Sequence, residues 1–192
     1  SEESQETTHF SIIDSEGNRV SATLSINGLF GSAFTAGDTG VLLNNHMNDF
    51  VLSPGIPNMY GLIGNTANLI QPGKRPLSSM SPTFVEDNRG VLVLGTPGGS
   101  RIISMVILGI LDFMLNTEVD THRTVSKARY HHQFIPDKIE VEPGGFSEEW
   151  MEALKLKGHA IKIGNRRWGN MQVIFLDEKS GTIQGASDPR GQ

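Results

Sequence analysis

Thr7-Thr8-His9-Phe10-Ser11-Ile12-Ile13 and the return segment from Arg19 to Asn27 decide how this 192-residue chain is read. The first stretch is rich in β-branched and aromatic residues and partly alternates, as a strand does. Ser15-Glu16-Gly17-Asn18 lies between the two, a turn cluster in which Gly17 supplies a positive φ. The return alternates cleanly, with Val20, Ala22, Leu24 and Ile26 on one face and Ser21, Thr23, Ser25 and Asn27 on the other. Two strands around so short a turn predict a hairpin. In it Ser25 and Asn27 share a face beside the strand that begins at Thr7.

Outward from the hairpin, Gly40 to Asn45 reads as a short apolar strand ending in polar residues. Residues 53 to 74 hold too many turn formers for regular structure, and so long a loop is more often functional than ornamental. Thr83–Glu86 and Val91–Gly95 read as paired strands. A predominantly apolar helix, expected to be buried, opens at Gly98-Gly99-Ser100 and runs to about Asn116. A second helical stretch covers about Glu118 to Lys127. Lys138–Glu142 is a strand candidate. Ser147 caps a helix to Leu156, with Glu148 and Glu149 in its first turn. Strands near Ala160–Ile163, Met171–Leu176 and Thr182–Gln184 close the chain. The pattern is α+β, one domain with a mostly antiparallel sheet and helices packed on it.

Composition narrows the function. The formal net charge of −5, with scattered Lys and Arg, argues against nucleic acid as a partner. The one notable basic pair, Arg166-Arg167, reads as a solvated loop. The absence of cysteine excludes disulfides, thiolate zinc sites and a Cys nucleophile. No histidine spacing suggests a metal site, and no cofactor is called for. The longest apolar run, Met105 to Leu111, is far below the roughly 20 residues of a membrane span. Ser1 to Glu6 are acidic and polar, unlike a signal peptide, so any export signal is expected upstream.

Four local features bear on chemistry. Thr7 opens a strand after a polar tail; a threonine hydroxyl needs a base, and a free α-amine on the same residue, with a pKa of about 7.7–8.0, can serve. Cleavage between Glu6 and Thr7 would expose that amine, although a Thr-Thr pair at a strand start is ordinarily only a strand. Arg75-Pro76-Leu77-Ser78-Ser79-Met80-Ser81-Pro82 is a hydroxyl-rich turn; paired serines can donate to a carboxylate, or simply cap and turn the chain. Gly95-Thr96-Pro97-Gly98-Gly99-Ser100 joins a strand to a helix, and its unhindered N–H groups suit an anion or developing oxyanion. It lacks a phosphate loop's lysine and a dinucleotide site's third glycine. Asn44 to Phe50 places polar groups at a strand end, where Asp49 could hold an ammonium or merely shape a turn.

Taken together, in order and spacing, these features resemble the small subunit of the γ-glutamyltransferases (γ-glutamyltranspeptidases). Ser25-x-Asn27, Leu43-Asn44-Asn45, Gly98-Gly99-Ser100-Arg101 and Gly185-Ala186-Ser187-Asp188-Pro189-Arg190 extend the likeness from Thr7 to Arg190, and Pro-Leu-Ser-Ser-Met-Ser-Pro is its most specific part. Bacterial members look nearer, judging by Pro97 to Arg101 and Tyr130-His131-His132-Gln133.

The resemblance implies a four-layer αββα N-terminal nucleophile hydrolase fold, completed by a large subunit cut from the same precursor. Residues 1–6 would be the tail of that upstream segment, and residues 7–192 the small subunit. Autocatalytic cleavage at Glu6–Thr7 would free Thr7 to attack the γ-carbonyl of glutathione or another γ-glutamyl compound. Gly98 and Gly99 would hold the oxyanion. Ser78 and Ser79, with a large-subunit arginine, would bind the substrate α-carboxylate; Asn27, His46 and Asp49 would contact its α-amino group. Thr23 and Ser25 would stand close to the nucleophile, and Tyr60 would belong to a lid. Water would then give hydrolysis, and an amino acid or dipeptide would give transfer. The implied location is periplasmic or secreted.

Three positions depart from the family pattern. Ser25 replaces a common Thr and keeps the hydroxyl. His46 stands where Gln or Glu is usual, and the expectation is a neutral ring accepting a hydrogen bond, or a shifted preference. Trp168 replaces smaller residues, either packing or widening apolar contact with the acceptor or leaving group. Two other readings stay open: a cephalosporin, glutaryl or poly-γ-glutamate-processing acylase on the same fold, and a silent, unprocessed subunit. Ser78 and Ser79 with Asp49 favour γ-glutamyl transfer, because together they read both charges of a free glutamyl α-carbon.

Overall fold

The computed structural model describes residues 7–59 and 61–191. Strands β1 (Thr8–Ile13) and β2 (Arg19–Leu24) form the predicted antiparallel hairpin, with Thr8 opposite Leu24 and Ile13 opposite Arg19. The return strand stops three residues short of its predicted end: Asn27 has a φ of 74°, which breaks the extended path. Strands β3 (Thr83–Asp87) and β4 (Gly90–Gly95) follow, then helices α1 (Ile102–Leu115) and α2 (Thr121–Ser126). Next come β5 (Tyr130–Gln133), β6 (Lys138–Val141), α3 (Glu148–Leu156), β7 (Ile161–Ile163), β8 (Gln172–Asp177) and β9 (Ile183–Ser187).

The central sheet has the order β3-β4-β8-β9 and is antiparallel throughout. A second sheet, β5-β6-β7, joins β6 and β7 in parallel. Every residue of β4 is buried, which requires cover on both faces. Leu92 and Leu94 pack with Met105 and Phe113 of α1 and with Val173 and Phe175 of β8. By alternation Gly95 points the other way, onto the hairpin, where a Cβ would lie 2.2 Å from the His9 ring. Three stacked layers result: helices, central sheet, hairpin.

The hairpin docks through polar groups. His9 is buried, with Nδ1 2.8 Å from Thr23 Oγ1 and Nε2 3.1 Å from Ser11 Oγ. Ser11 donates its own proton to the Gln172 carbonyl, so it accepts from His9 Nε2–H, and Nδ1 accepts from Thr23. Burial pushes the His9 pKa down to about 4, as a neutral ring with this bonding requires. Ser21 clamps the other strand, donating to the Leu94 carbonyl and accepting from the Thr83 amide. The apolar side chains Phe10, Ile12, Val20 and Leu24 consequently face outward, 41–52% exposed.

Several sequence expectations are corrected. Gly40–Asn45 forms no strand; Leu42 makes only an isolated bridge to Thr35, because no neighbouring strand offers a ladder. Helix α1 is buried on one side only, with Ile103, Ile107, Met114 and Leu115 48–78% exposed. An evenly apolar sequence carries no stripe to mark which face meets the sheet. The second helix is six residues long, and β5 was not anticipated. Helix α3 begins as expected, the Ser147 hydroxyl accepting from the Trp150 amide at 3.2 Å.

The Asp188-Pro189-Arg190 segment closes the chain onto a buried ion cluster. Arg190 bonds Glu142 at 2.7 Å and Asp188 at 3.0 Å, and Arg129 pairs with Asp188, all four side chains being at most 4% exposed. Glu142 also accepts from the Trp168 and Arg129 amides, and Asp188 from the Met171 amide. Trp168 is 4% exposed and packs in the core.

Candidate active site

A small pocket of about 50 Å³ gathers residues from distant parts of the sequence. Thr7, Ser25, Asn27, His46, Asp49, Ser78, Ser79 and Gly99 all border it. The hairpin supplies the first of these. With Thr8 opposite Leu24, one further step sets Thr7 against Ser25, and their hydroxyl oxygens lie 2.9 Å apart. Thr7 is buried, so its hydroxyl is held in one place. Ser25 Oγ also accepts from the Asn27 amide at 2.9 Å, which fixes the bend after β2.

The Asn44–Phe50 segment is latched to that bend. The Asn45 amide donates to the Ile26 carbonyl, and its side chain accepts from the Gly28 amide at 2.9 Å. His46 Nε2 donates to the Ser25 carbonyl at 3.0 Å, and Nδ1 lies 2.7 Å from Asp49 Oδ2. Both neighbours of the ring are acceptors. Neither contact offers the ring a donor, so the acceptor role expected of His46 is not seen in these two contacts. One Asp49 oxygen is engaged in this way.

Asn68, which the sequence reading passed over, ties the third segment in. Its amide donates to the Asp49 carbonyl at 2.7 Å, and its oxygen accepts from the Leu77 amide at 3.0 Å. Ser78 and Ser79 are thereby held beside Asp49. Ser78 Oγ accepts from the Met80 amide, a turn contact that leaves its proton for another partner.

Gly98 and Gly99 have φ of 142° and 56°, backbone states that a side chain would strain. They lead into a single turn over Gly99–Arg101 and then α1. Among the described residues neither amide donates to another group, so two N–H groups at a helix start are available to an anion. Gly99 borders the pocket and Gly98 precedes it.

Thr23 is not brought into the pocket. Its hydroxyl is engaged by His9, two residues further along the same face of the hairpin. Glu6 and Tyr60 lie outside the described residues. Chemically, the arrangement offers one buried hydroxyl, a pair of amides suited to an oxyanion, and groups of both charge preferences a few residues away.

The family model for gamma-glutamyltranspeptidase matches residues 1–192. The chain is 45% identical over 192 residues to a glutathione hydrolase proenzyme of Escherichia coli strain K12, covering 98% of this chain and 32% of that protein. It spans about a third of the length of the curated relatives it matches first. Among solved structures, an acivicin-inhibited gamma-glutamyltranspeptidase superposes with a TM-score of 0.88 at 41% identity, covering 96% of this chain and 99% of that one. A T380A mutant of the Helicobacter pylori gamma-glutamyltranspeptidase gives 0.87 at 41% identity, covering 95% and 99%.

Proposed function

Because the chain belongs to the gamma-glutamyltranspeptidase family and carries its N-terminal nucleophile hydrolase fold, we propose that it supplies the catalytic half of an enzyme that hydrolyses and transfers γ-glutamyl groups. The observation that carries this reading is the pocket itself, where the Thr7 hydroxyl, Gly99 and a serine pair converge from separate segments.

In this reading, the bond between Glu6 and Thr7 is broken first, making the Thr7 α-amine available as the base for its own hydroxyl. Thr7 Oγ1 attacks the γ-carbonyl of the donor, and the Gly98 and Gly99 amides hold the resulting oxyanion. Ser25 accepts or donates along the 2.9 Å contact and keeps Thr7 aligned. Ser78 and Ser79 donate to the donor's α-carboxylate. Asp49, with Asn27, holds its α-ammonium. His46 shapes that subsite by occupying one Asp49 oxygen. Thr23 acts through His9, fixing the strand under the nucleophile. The acyl-enzyme passes to water or to an amine, and no metal or organic cofactor enters any step.

The remainder of the precursor, a large subunit, would cover the outward apolar face of the hairpin as the fourth layer. Glutathione and other γ-glutamyl amides are the donors, and amino acids or dipeptides the acceptors. Among the described residues no helix is long and apolar enough to cross a membrane, and the periplasm or exterior is the proposed location.

The test is a comparison of γ-glutamyl-p-nitroanilide with glutaryl-p-nitroanilide as donors for the full precursor product. Preference for the γ-glutamyl donor by a factor of about 100 or more supports the reading, since Asp49 and Asn27 then recognise the amine. Preference for the glutaryl donor would reassign the enzyme as an acylase.

A further inference from the structure

Two larger cavities, of about 500 and 560 Å³, adjoin each other, and the first adjoins the small pocket. The first begins at Asn58, which also borders the small pocket, and at Ser100, next in sequence to Gly99. Arg101, Glu140 and Lys162 border both cavities, making them one trough that runs on to Arg166. In a chain of net charge −5 this trough is cationic: Arg101, Lys138, Lys162 and Arg166 face the single carboxylate of Glu140.

That carboxylate is fully used. Arg101 Nη2 bonds Glu140 Oε2 at 2.8 Å, and Lys138 Nζ lies 3.3 Å from Oε1. Parallel pairing of β6 and β7 sets Lys162 directly beside Glu140, yet both Glu140 oxygens are already engaged. Lys162 forms no ion pair among the described residues. His131, paired with Glu140 across the β5–β6 ladder, adds no charge: burial is the main cause holding its pKa below the ordinary value, and its Nε2 donates to Gln133 while Nδ1 accepts from Ser104.

We infer that the trough is the site of the amine partner, and that Lys162 binds that partner's free carboxylate. This inference rests on the γ-glutamyl transfer reading. The small pocket has room for the reacting end alone, while the trough has ample room for an amino acid or dipeptide. An acceptor lying in it presents its amine toward Thr7. Its nitrogen forms a C–N bond to the acyl carbon as the C–Oγ1 bond of the Thr7 ester breaks, and one amine proton returns to Oγ1 by way of the Thr7 α-amine. In acylation the leaving peptide occupies the same trough.

The experiment uses the full precursor product with γ-glutamyl-p-nitroanilide, whose leaving group carries no carboxylate. Glycylglycine and glycylglycinamide are compared as acceptors. The wild type should favour glycylglycine in kcat/KM by about two- to fivefold, the usual range for one exposed charge pair. Lys162→Gln should abolish that preference and Lys162→Arg should keep it. Equal use of the two acceptors by the wild type overturns the inference, as does a preference that survives Lys162→Gln. Absence of any γ-glutamyl anilide turnover would instead sink the reading beneath it, so the two failures are distinct.

Discussion

The imidazole of His46 clasps Asp49, with Nδ1 2.7 Å from Oδ2, while its other nitrogen holds the Ser25 carbonyl at 3.0 Å. The ring therefore links the residue beside the nucleophile to the residue proposed to read the donor's ammonium. A glutamine in its place keeps an N–H for Ser25 but lacks the ring's second nitrogen facing Asp49. His46→Gln should lower KM for γ-glutamyl donors by about three- to tenfold and leave glutaryl donors unchanged. Donor kinetics on both substrates check this. An equal change for both donors would remove His46 from amine recognition.

The four-membered cluster of Arg129, Asp188, Arg190 and Glu142 is nearly free of solvent. Asp188→Asn leaves two guanidinium groups short of a carboxylate and should destabilise by about 3–5 kcal/mol. Glu152→Gln, which breaks the exposed contact of Glu152 with Lys155, should change stability by less than about 0.5 kcal/mol. Urea unfolding of the two variants against wild type makes the comparison.

His9 gives the hairpin a pH dependence. Its folded pKa of about 4 lies below the ordinary 6.5, so between those values the unfolded chain binds the extra proton. Stability is fully present above about pH 6.5 and falls as the pH drops toward 4. The loss is on the order of 2 kcal/mol once solvent screening is allowed for. Thermal melts across that range should show the slope, and His9→Gln should flatten it.

Much of this architecture was legible locally. The hairpin followed from a period of two and a four-residue turn, and α3 from a cap with two acidic residues behind it. The meeting of Thr7 with Ser25 rests on the register of the folded hairpin, which fixes the residues that face each other across it. The Gly40–Asn45 strand was misread because a short apolar run acquires a ladder only from a distant partner. The role of Asn68 was invisible for a similar reason: it joins Asp49 to Leu77, and neither contact leaves a mark on neighbouring sequence. The ring orientation of His46 depended on loops closing over 21 residues of separation.

The central claim is that Thr7 is both the point of chain cleavage and the acyl carrier. Replacing it with alanine in the full precursor, followed by intact-mass measurement and the γ-glutamyl anilide assay, tests it most directly. The Thr7→Ala protein should stay uncut before residue 7 and show no turnover above background. Separation of the chain at that bond together with wild-type turnover would contradict the assignment of the nucleophile.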